Sequence, residues 1–197
     1  ENGSNDNTKK KLELFSSNYF ELKCIDLEIL NKYKNRIIRL GHGRQILKDF
    51  VFDNSFKTNF LSIVDLDEVI ADGFNANVIH ESLNFLKENK KYLFGISAKS
   101  KPYYYDLLPL IISDYFERDI YKIQTRINLF RLYSDRKKNI YDFQKKITNM
   151  RDIETVSSHN GLTTYIYEDF IKGSYLNTKS NKIVSEHINL NKSINSK

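Results

Sequence analysis

Two aspartates end a short apolar run in the sequence Phe60-Leu61-Ser62-Ile63-Val64-Asp65-Leu66-Asp67-Glu68. An apolar run of this length that is followed by polar residues is typical of a buried β-strand. In α/β proteins ligands collect beyond the carboxyl ends of the strands, so Asp65 and Asp67 are expected to line a site. Carboxylate oxygens suit hard cations, and the pair therefore predicts a Mg²⁺ or Mn²⁺ ion shared with substrate phosphates.

The composition of the whole chain is that of a folded, soluble domain. It has 197 residues, of which 40% are hydrophobic, and this is enough for one core of ordinary size. No apolar run approaches the roughly 18 residues of a membrane span. The single cysteine, Cys24, excludes an intramolecular disulfide and fits a reducing compartment, so we expect a cytoplasmic protein. A net charge of +6 favours anionic partners without choosing among them.

Predicted strands and helices alternate along the chain. Apolar runs predict strands at residues 20–25, 60–64, 92–97 and 161–167. Apolar periodicity predicts helices at residues 9–15, 27–52, 77–88 and 120–146, the second in two pieces because Gly41 and Gly43 interrupt it. This order predicts a layered α/β domain with a mostly parallel central sheet flanked by helices.

The predicted domain covers residues 1–188, and a polar tail follows at 189–197. The chain opens on Glu1 rather than on a methionine, and its first residues form turns. We therefore expect an upstream first strand to be missing from it.

The stretches around the central strand resemble, in the same order, those of nucleotide-sugar glycosyltransferases with the GT-A fold. Asp65-Leu66-Asp67 falls where this family carries its Asp-x-Asp motif, which binds the divalent ion that bridges the two donor phosphates. The turn that contains Asp6 is similar to an acidic turn that contacts the nucleoside. The helix that contains Arg44 is similar to one that faces the donor diphosphate. The resemblance thus implies a Rossmann-like GT-A fold and a donor site formed by Asp6, Arg44 and Asp65.

Two motifs further along the chain resemble a branch of these enzymes that builds capsule and cell-surface polysaccharides. Pro102-Tyr103-Tyr104-Tyr105-Asp106 is similar to its Tyr-Tyr-Asp stretch. The resemblance implies that Tyr104 and Tyr105 contact the acceptor sugar, and that Asp106 takes the proton of the acceptor hydroxyl or orients that hydroxyl. Asn160-Gly161-Leu162 is similar to a small-residue turn, which implies that the acceptor approaches the backbone at Gly161.

A last motif, Ser185-Glu186-His187, is similar to the Cys-Glu-His that closes the catalytic domain in this branch. It implies a third metal ligand in His187 and a catalytic role for Glu186, either as a proton acceptor or in positioning the acceptor. The other histidines, at positions 42, 80 and 159, lack such context and are interpreted as surface or core residues.

The resemblance as a whole implies the transfer of a sugar from a nucleoside diphosphate sugar to a hydroxyl of a glycan, a lipid-linked acceptor or a protein. A bound Mn²⁺ or Mg²⁺ ion would offset the charge that grows on the leaving diphosphate. Whether the anomeric configuration is inverted or retained cannot be read from spacing.

One alternative is a phosphatase of the haloacid dehalogenase type. Its strand-terminal motif also fits residues 65–69, with Asp65 as nucleophile and Asp67 as acid-base. Its later motifs can be matched to Ser97, Lys99, Asp114 and Asp119. The central position of the aspartates and the unexplained closing motif weigh against this reading.

A second alternative is a basic binding module, because lysine and arginine are frequent at residues 118–146. No recognisable nucleic-acid motif accompanies this charge, so nucleic acid is not the expected partner. The same helix could instead place a glycosyltransferase beside an anionic membrane that carries a lipid-linked acceptor.

Overall fold

The structure is a computed structural model that describes residues 7–14, 28–54, 56–65, 73, 75–112, 130–176 and 184–195. Its helices are α1 (Thr8–Leu14), α2 (Arg36–Asp53), α3 (Ala76–Glu88), α4 (Phe130–Asn149), α5 (Tyr167–Phe170) and α6 (Glu186–Asn195), with a 3₁₀ helix at Glu28–Lys32. Its strands are β1 (Phe60–Val64), β2 (Gly95–Ser97) and β3 (Leu162–Ile166). The turn at residues 1–6 and the strand predicted at 20–25 lie outside the described residues.

The three strands form an antiparallel sheet in the order β1-β3-β2, so the predicted mostly parallel sheet of a GT-A domain is wrong. β1 and β2 run in the same direction, as a strand-helix-strand unit should. β3 lies between them in the opposite direction and pairs with both, with Ser62 opposite Thr164 and Ser97 opposite Thr163. Their hydroxyls are 2.8 and 2.7 Å apart across the sheet. Strands and helices alternate in the described residues, but this alternation does not reveal which strands are neighbours.

Side-chain caps define the starts of α2 and α3. Asn35 Oδ1 accepts hydrogen bonds from the backbone N–H groups of residues 37 and 38, and Asn75 Oδ1 does the same for residues 77 and 78. The predicted break at Gly41 and Gly43 does not occur, because α2 runs through both glycines and the chain turns before Asn35 instead. Gly43 allows close packing, because a Cβ there would lie 3.1 Å from the Leu30 side chain, whereas one at Gly41 would make an ordinary contact, 3.5 Å from the Cβ of Glu186.

The main hydrophobic cluster lies on the face of the sheet that α6 covers. Its buried members are Tyr165, Phe170, Tyr175, Leu190 and Ile194. Residues predicted as a polar tail therefore belong, up to Asn195, to a packed helix. Leu190 and Ile194 recur at the i, i+4 spacing that buries one face of a helix. A second cluster joins the loop after β2 to α4 and contains Tyr104, Leu107, Leu110 and Ile147.

No helix in the described part of the chain is long and apolar enough to cross a bilayer. Of the predicted basic helix, residues 130–146 lie in α4, and residues 118–129 lie outside the described residues.

Candidate functional site

A polar cluster forms where the end of β1, the turn before β3, α2 and the start of α6 meet. Beyond the last β1–β3 pair, the backbone N–H of Asp65 still donates to the carbonyl of Gly161, at 2.8 Å. Gly161 adopts a φ of 83°, in the left-handed region that favours glycine. This turn places Asp65 beside His159, which lies two residues before Gly161 in the chain.

Arg44 connects two carboxylates of the cluster. Its Nη2 donates to Asp65 Oδ1 at 2.8 Å, and its Nε lies 3.1 Å from Glu186 Oε1. Burial lowers the pKa of Arg44, but the neighbouring carboxylates of Asp65 and Glu186 outweigh burial and raise it above the ordinary value. Arg44 is therefore a permanent cation between two acidic side chains. Glu186 lies in the first turn of α6, where the helix dipole favours a negative charge.

Asp65 receives a second hydrogen-bond partner in His159. The distance from His159 Nε2 to Asp65 Oδ2 is 3.0 Å, and the imidazole is only 1% exposed. Burial alone would raise the pKa of Asp65, but the hydrogen bond with His159 and the charge of Arg44 hold it well below its usual range. Asp65 is therefore an ionised carboxylate with a partner on each oxygen.

His187 lies against the same imidazole. The two histidine rings stack with centroids 3.8 Å apart and an interplanar angle of 10°, and Tyr175 packs edge-on against His187 at 5.8 Å. Burial, followed by the nearby His159 and Arg44, lowers the pKa of His187 well below the ordinary histidine value. His187 is therefore neutral at physiological pH and keeps a lone pair on one ring nitrogen.

Asp106 approaches the cluster from the loop before α4. Asn160 fixes this loop, because its Oδ1 accepts the backbone N–H groups of Tyr105 and Asp106 at 3.0 and 2.9 Å. Burial raises the pKa of Asp106, and Glu186 and Asp65 are close enough to raise it further, against the lowering effects of the Leu108 N–H and of His159. Asp106 is thus a better proton acceptor than an exposed aspartate.

Five buried side-chain polar atoms lack a partner with good hydrogen-bond geometry among the described residues, and all but the Tyr104 hydroxyl, which lies in the second core cluster, belong to this cluster. They are Tyr104 Oη, Tyr175 Oη, both ring nitrogens of His187, and Arg44 Nε, whose ion pair with Glu186 Oε1 at 3.1 Å lacks hydrogen-bond geometry. Buried polar groups are satisfied almost everywhere in native proteins. The hydroxyl of Tyr175 and the ring nitrogens of His187 lie together in the cluster, where a bound molecule can supply their missing partners.

The divalent ion predicted for Asp65, Asp67 and His187 fits the described residues only in part. His187 offers a neutral imidazole without hydrogen-bond partners. Asp65 already has Arg44 on Oδ1 and His159 on Oδ2, so a cation would use its remaining lone pairs. The described residues contain no group of three or more side chains arranged to hold a metal. Asp67 and Glu68 lie outside them.

The predicted site residues divide into three groups. The structure brings together Arg44, Asp65, Asp106, Gly161, Glu186 and His187. Asp6 and Asp67 lie outside the described residues. The two tyrosines predicted to contact an acceptor differ, because Tyr104 is 3% exposed in the second core cluster whereas Tyr105 is 40% exposed.

Sequence reasoning missed two members of the cluster. His159 was interpreted as a surface or core residue, although it immediately precedes the Asn160–Gly161 turn that was singled out, and this adjacency was the available signal. Tyr175 had no signal, since its place beside His187 depends on Gln45, whose Oε1 accepts the backbone N–H of Tyr175 at 2.9 Å.

The two other described residues that a phosphatase would need, Ser97 and Lys99, make their hydrogen bonds elsewhere than to Asp65. Lys99 Nζ donates to the backbone carbonyls of Met150 and Arg151, and the Ser97 hydroxyl bonds to Ser158 and Thr163. Asp114 and Asp119 lie outside the described residues.

Comparison of the chain with profiles of known protein families, with curated proteins and with solved structures gave no significant match. What can be proposed of its function therefore rests on its motifs and on the residues of this cluster.

Proposed function

We propose that the protein is a metal-dependent glycosyltransferase that moves a sugar from a nucleoside diphosphate sugar to a hydroxyl of a glycan, a lipid-linked acceptor or a protein. The observation that carries this proposal is the meeting of six residues that the motif resemblance singled out in separate parts of the chain: Arg44, Asp65, Asp106, Gly161, Glu186 and His187. As part of the same proposal we place the protein in the cytoplasm, with its basic helix in contact with an anionic membrane surface that carries a lipid-linked acceptor.

The charge of the cluster supports a cation in the proposed site. Two carboxylates, Asp65 and Glu186, contact the guanidinium of Arg44. A third acidic group, Asp106, lies close enough for both of them to raise its pKa. A surplus of carboxyl groups repels a free diphosphate, whereas a divalent ion offsets the surplus. Asp65, Asp67 and His187 would hold Mn²⁺ or Mg²⁺, which when bound supplies charge stabilisation for the leaving diphosphate.

The side chains of the cluster have separate roles in the proposed reaction. Arg44 offers a permanent positive charge next to the donor diphosphate. Asp106 takes the proton from the acceptor hydroxyl as the bond to the sugar forms, and its raised pKa makes it suited to this step. Its Oδ1 accepts the Leu108 N–H at 3.0 Å, so the proton goes to Oδ2. Glu186 orients the acceptor.

Acceptor contacts are assigned to Tyr105 and Gly161. The ring of Tyr105 is partly exposed and directly precedes Asp106, so it can stack on a sugar held at that carboxylate. Tyr104 is not retained as an acceptor contact, because its ring is buried among apolar side chains.

A thermal-shift screen tests the proposal. Wild-type protein is heated with UDP, GDP, CDP and their sugar conjugates, each with and without Mn²⁺. At a ligand concentration of about 100 Kd, binding stabilises by about 2.7 kcal/mol. For a chain of this size that stabilisation raises Tm by about 5–10 °C.

The expected result is a Mn²⁺-dependent shift with one nucleotide that Asp65→Asn and Asp67→Asn abolish. Asp152→Asn is the matched control, since Asp152 is 88% exposed and should retain the full shift. The unliganded Tm of each variant checks its fold. If no nucleotide shifts Tm, the proposal is rejected. Hydrolysis of p-nitrophenyl phosphate that depends on Asp65 would then point to a phosphatase, and binding of DNA or RNA at low salt to a basic binding module.

A further inference from the structure

His159 is fixed in place on three sides. Its Nε2 lies 3.0 Å from Asp65 Oδ2, its Nδ1 lies 2.9 Å from Thr163 Oγ1, and its ring face stacks on His187. Both ring nitrogens are therefore used, and the ring plane cannot turn without breaking a contact. The side chain is 1% exposed, so water does not compete for these bonds.

The neighbouring hydroxyls indicate which nitrogen carries the proton. Ser158 Oγ donates to Ser97 Oγ at 2.9 Å. Ser97 Oγ can itself donate to two acceptors, Thr163 Oγ1 at 2.7 Å and the Ser158 carbonyl at 3.1 Å, of which Thr163 is the closer. If Ser97 donates to Thr163, the hydrogen of Thr163 is directed to His159 Nδ1. Asp65 is paired with Arg44 and can only accept. Each hydroxyl then donates once, and His159 Nε2–H donates to Asp65 Oδ2.

We propose that His159 is a positioning residue for Asp65, set in its Nε2–H form by the hydroxyls of Thr163 and Ser97 and bound through that proton to the carboxylate. With Oδ2 held by His159, Oδ1 is directed at Arg44, so the plane of the carboxylate is fixed before any ligand arrives. Outer contacts of this kind commonly orient groups that bind metals, and losing one typically weakens metal binding by about 10–100-fold. The inference rests on the proposed function, because it assigns Asp65 to the donor and metal site.

Two substitutions separate positioning from packing. His159→Phe keeps a ring stacked on His187 but removes both hydrogen bonds. His159→Gln loses the ring but retains an amide N–H near the position of Nε2. Binding of UDP and of GDP with Mn²⁺ is measured by calorimetry for the wild type and both variants. We expect His159→Phe to weaken Mn²⁺-dependent binding by at least 10-fold, and His159→Gln to restore it to within about threefold of the wild type. Equal loss in both variants, or none in His159→Phe, overturns the inference.

A second measurement needs no ligand and does not depend on the variants being stable. Long-range ¹H–¹⁵N spectra of the wild-type imidazoles, with His159 assigned through correlation of its ring to its own backbone, should show a proton on Nε2 of His159. A spectrum in which Nε2 carries no proton overturns the inference. If wild-type protein binds no nucleotide of the thermal-shift screen, the proposed function fails, while the spectrum still decides whether His159 donates to Asp65.

Discussion

Replacing Arg44 by methionine tests whether the buried charges of the cluster compensate one another. Arg44 is 20% exposed and contacts Asp65 and Glu186, which are 25% and 8% exposed. A pair of unit charges about 4 Å apart attracts by about 4 kcal/mol at an effective dielectric of about 20, and desolvation cancels much of that attraction. Removal of one partner leaves buried charge uncompensated and typically costs about 3–5 kcal/mol. Because the cluster is partly exposed, we expect Arg44→Met to lose about 3 kcal/mol.

The assay is urea denaturation at pH 7.5, with Arg36→Met as the matched control. Arg36 is exposed at the first turn of the same helix, so its loss should change stability by less than about 0.5 kcal/mol. In the double variant Arg44→Met/Asp65→Asn, one of the uncompensated carboxylates is also gone. Its destabilisation should therefore fall short of the sum of the single effects by about 1 kcal/mol or more. An Arg44→Met loss below 1 kcal/mol, or additive single effects, would refute the reasoning.

Three further predictions follow from the protonation states and unsatisfied atoms of the site. His187 is neutral in the folded protein but takes up a proton when the chain unfolds, so it should reduce stability as pH falls below about 6.5, by up to about 1.4 kcal/mol per pH unit. In His187→Phe the stability measured by urea denaturation should therefore change less between pH 6.5 and 5. An unchanged pH dependence would contradict this prediction. Because the pKa of Asp106 is raised, the transfer rate should begin to fall at a pH above the ordinary pKa range of aspartate as the solution is acidified. Asp106→Asn should lower kcat by about 100-fold or more with little change in donor Kd. A variant with normal turnover would exclude Asp106 as the base. Tyr175→Phe removes a buried hydroxyl that has no hydrogen-bond partner among the described residues, so the variant should be as stable as the wild type or more stable by about 1 kcal/mol, whereas a loss above 1 kcal/mol would show that the hydroxyl is satisfied.

Local patterns predicted the elements around the site, but not their pairing. The apolar run of β1 and the periodicity of α3 are each contained in a short window, and both elements were found. The sheet order depends on β3, whose Thr164 hydroxyl bonds Ser62 from 102 residues away. No local signal distinguishes a strand that inserts between β1 and β2 from one that adds at an edge, so the direction of pairing was predicted wrongly.

The candidate site was predicted to the extent that its residues have recognisable neighbours in sequence. Glu186 and His187 stand in a three-residue motif, and Asp65 follows a strand. His159 was missed because a single histidine carries little information, and the partner that gives it meaning, Asp65, is 94 residues away. Its other partner, Thr163, lies four residues later, across the turn into β3, where a spacing of four has no regular meaning.

The unsatisfied atoms of the cluster explain why these residues point to function rather than to stability. A buried polar group without a partner costs about 1–3 kcal/mol, a large fraction of a net stability of about 5–15 kcal/mol. Apolar side chains of similar shape at positions 175 and 187 would avoid that cost. A protein under selection for stability alone has no reason to bury the hydroxyl of Tyr175 and both ring nitrogens of His187 without hydrogen-bond partners. The arrangement is consistent with selection for a bound ligand that completes these hydrogen bonds. The nucleotide and metal screen either identifies that ligand or excludes nucleotides as the ligand.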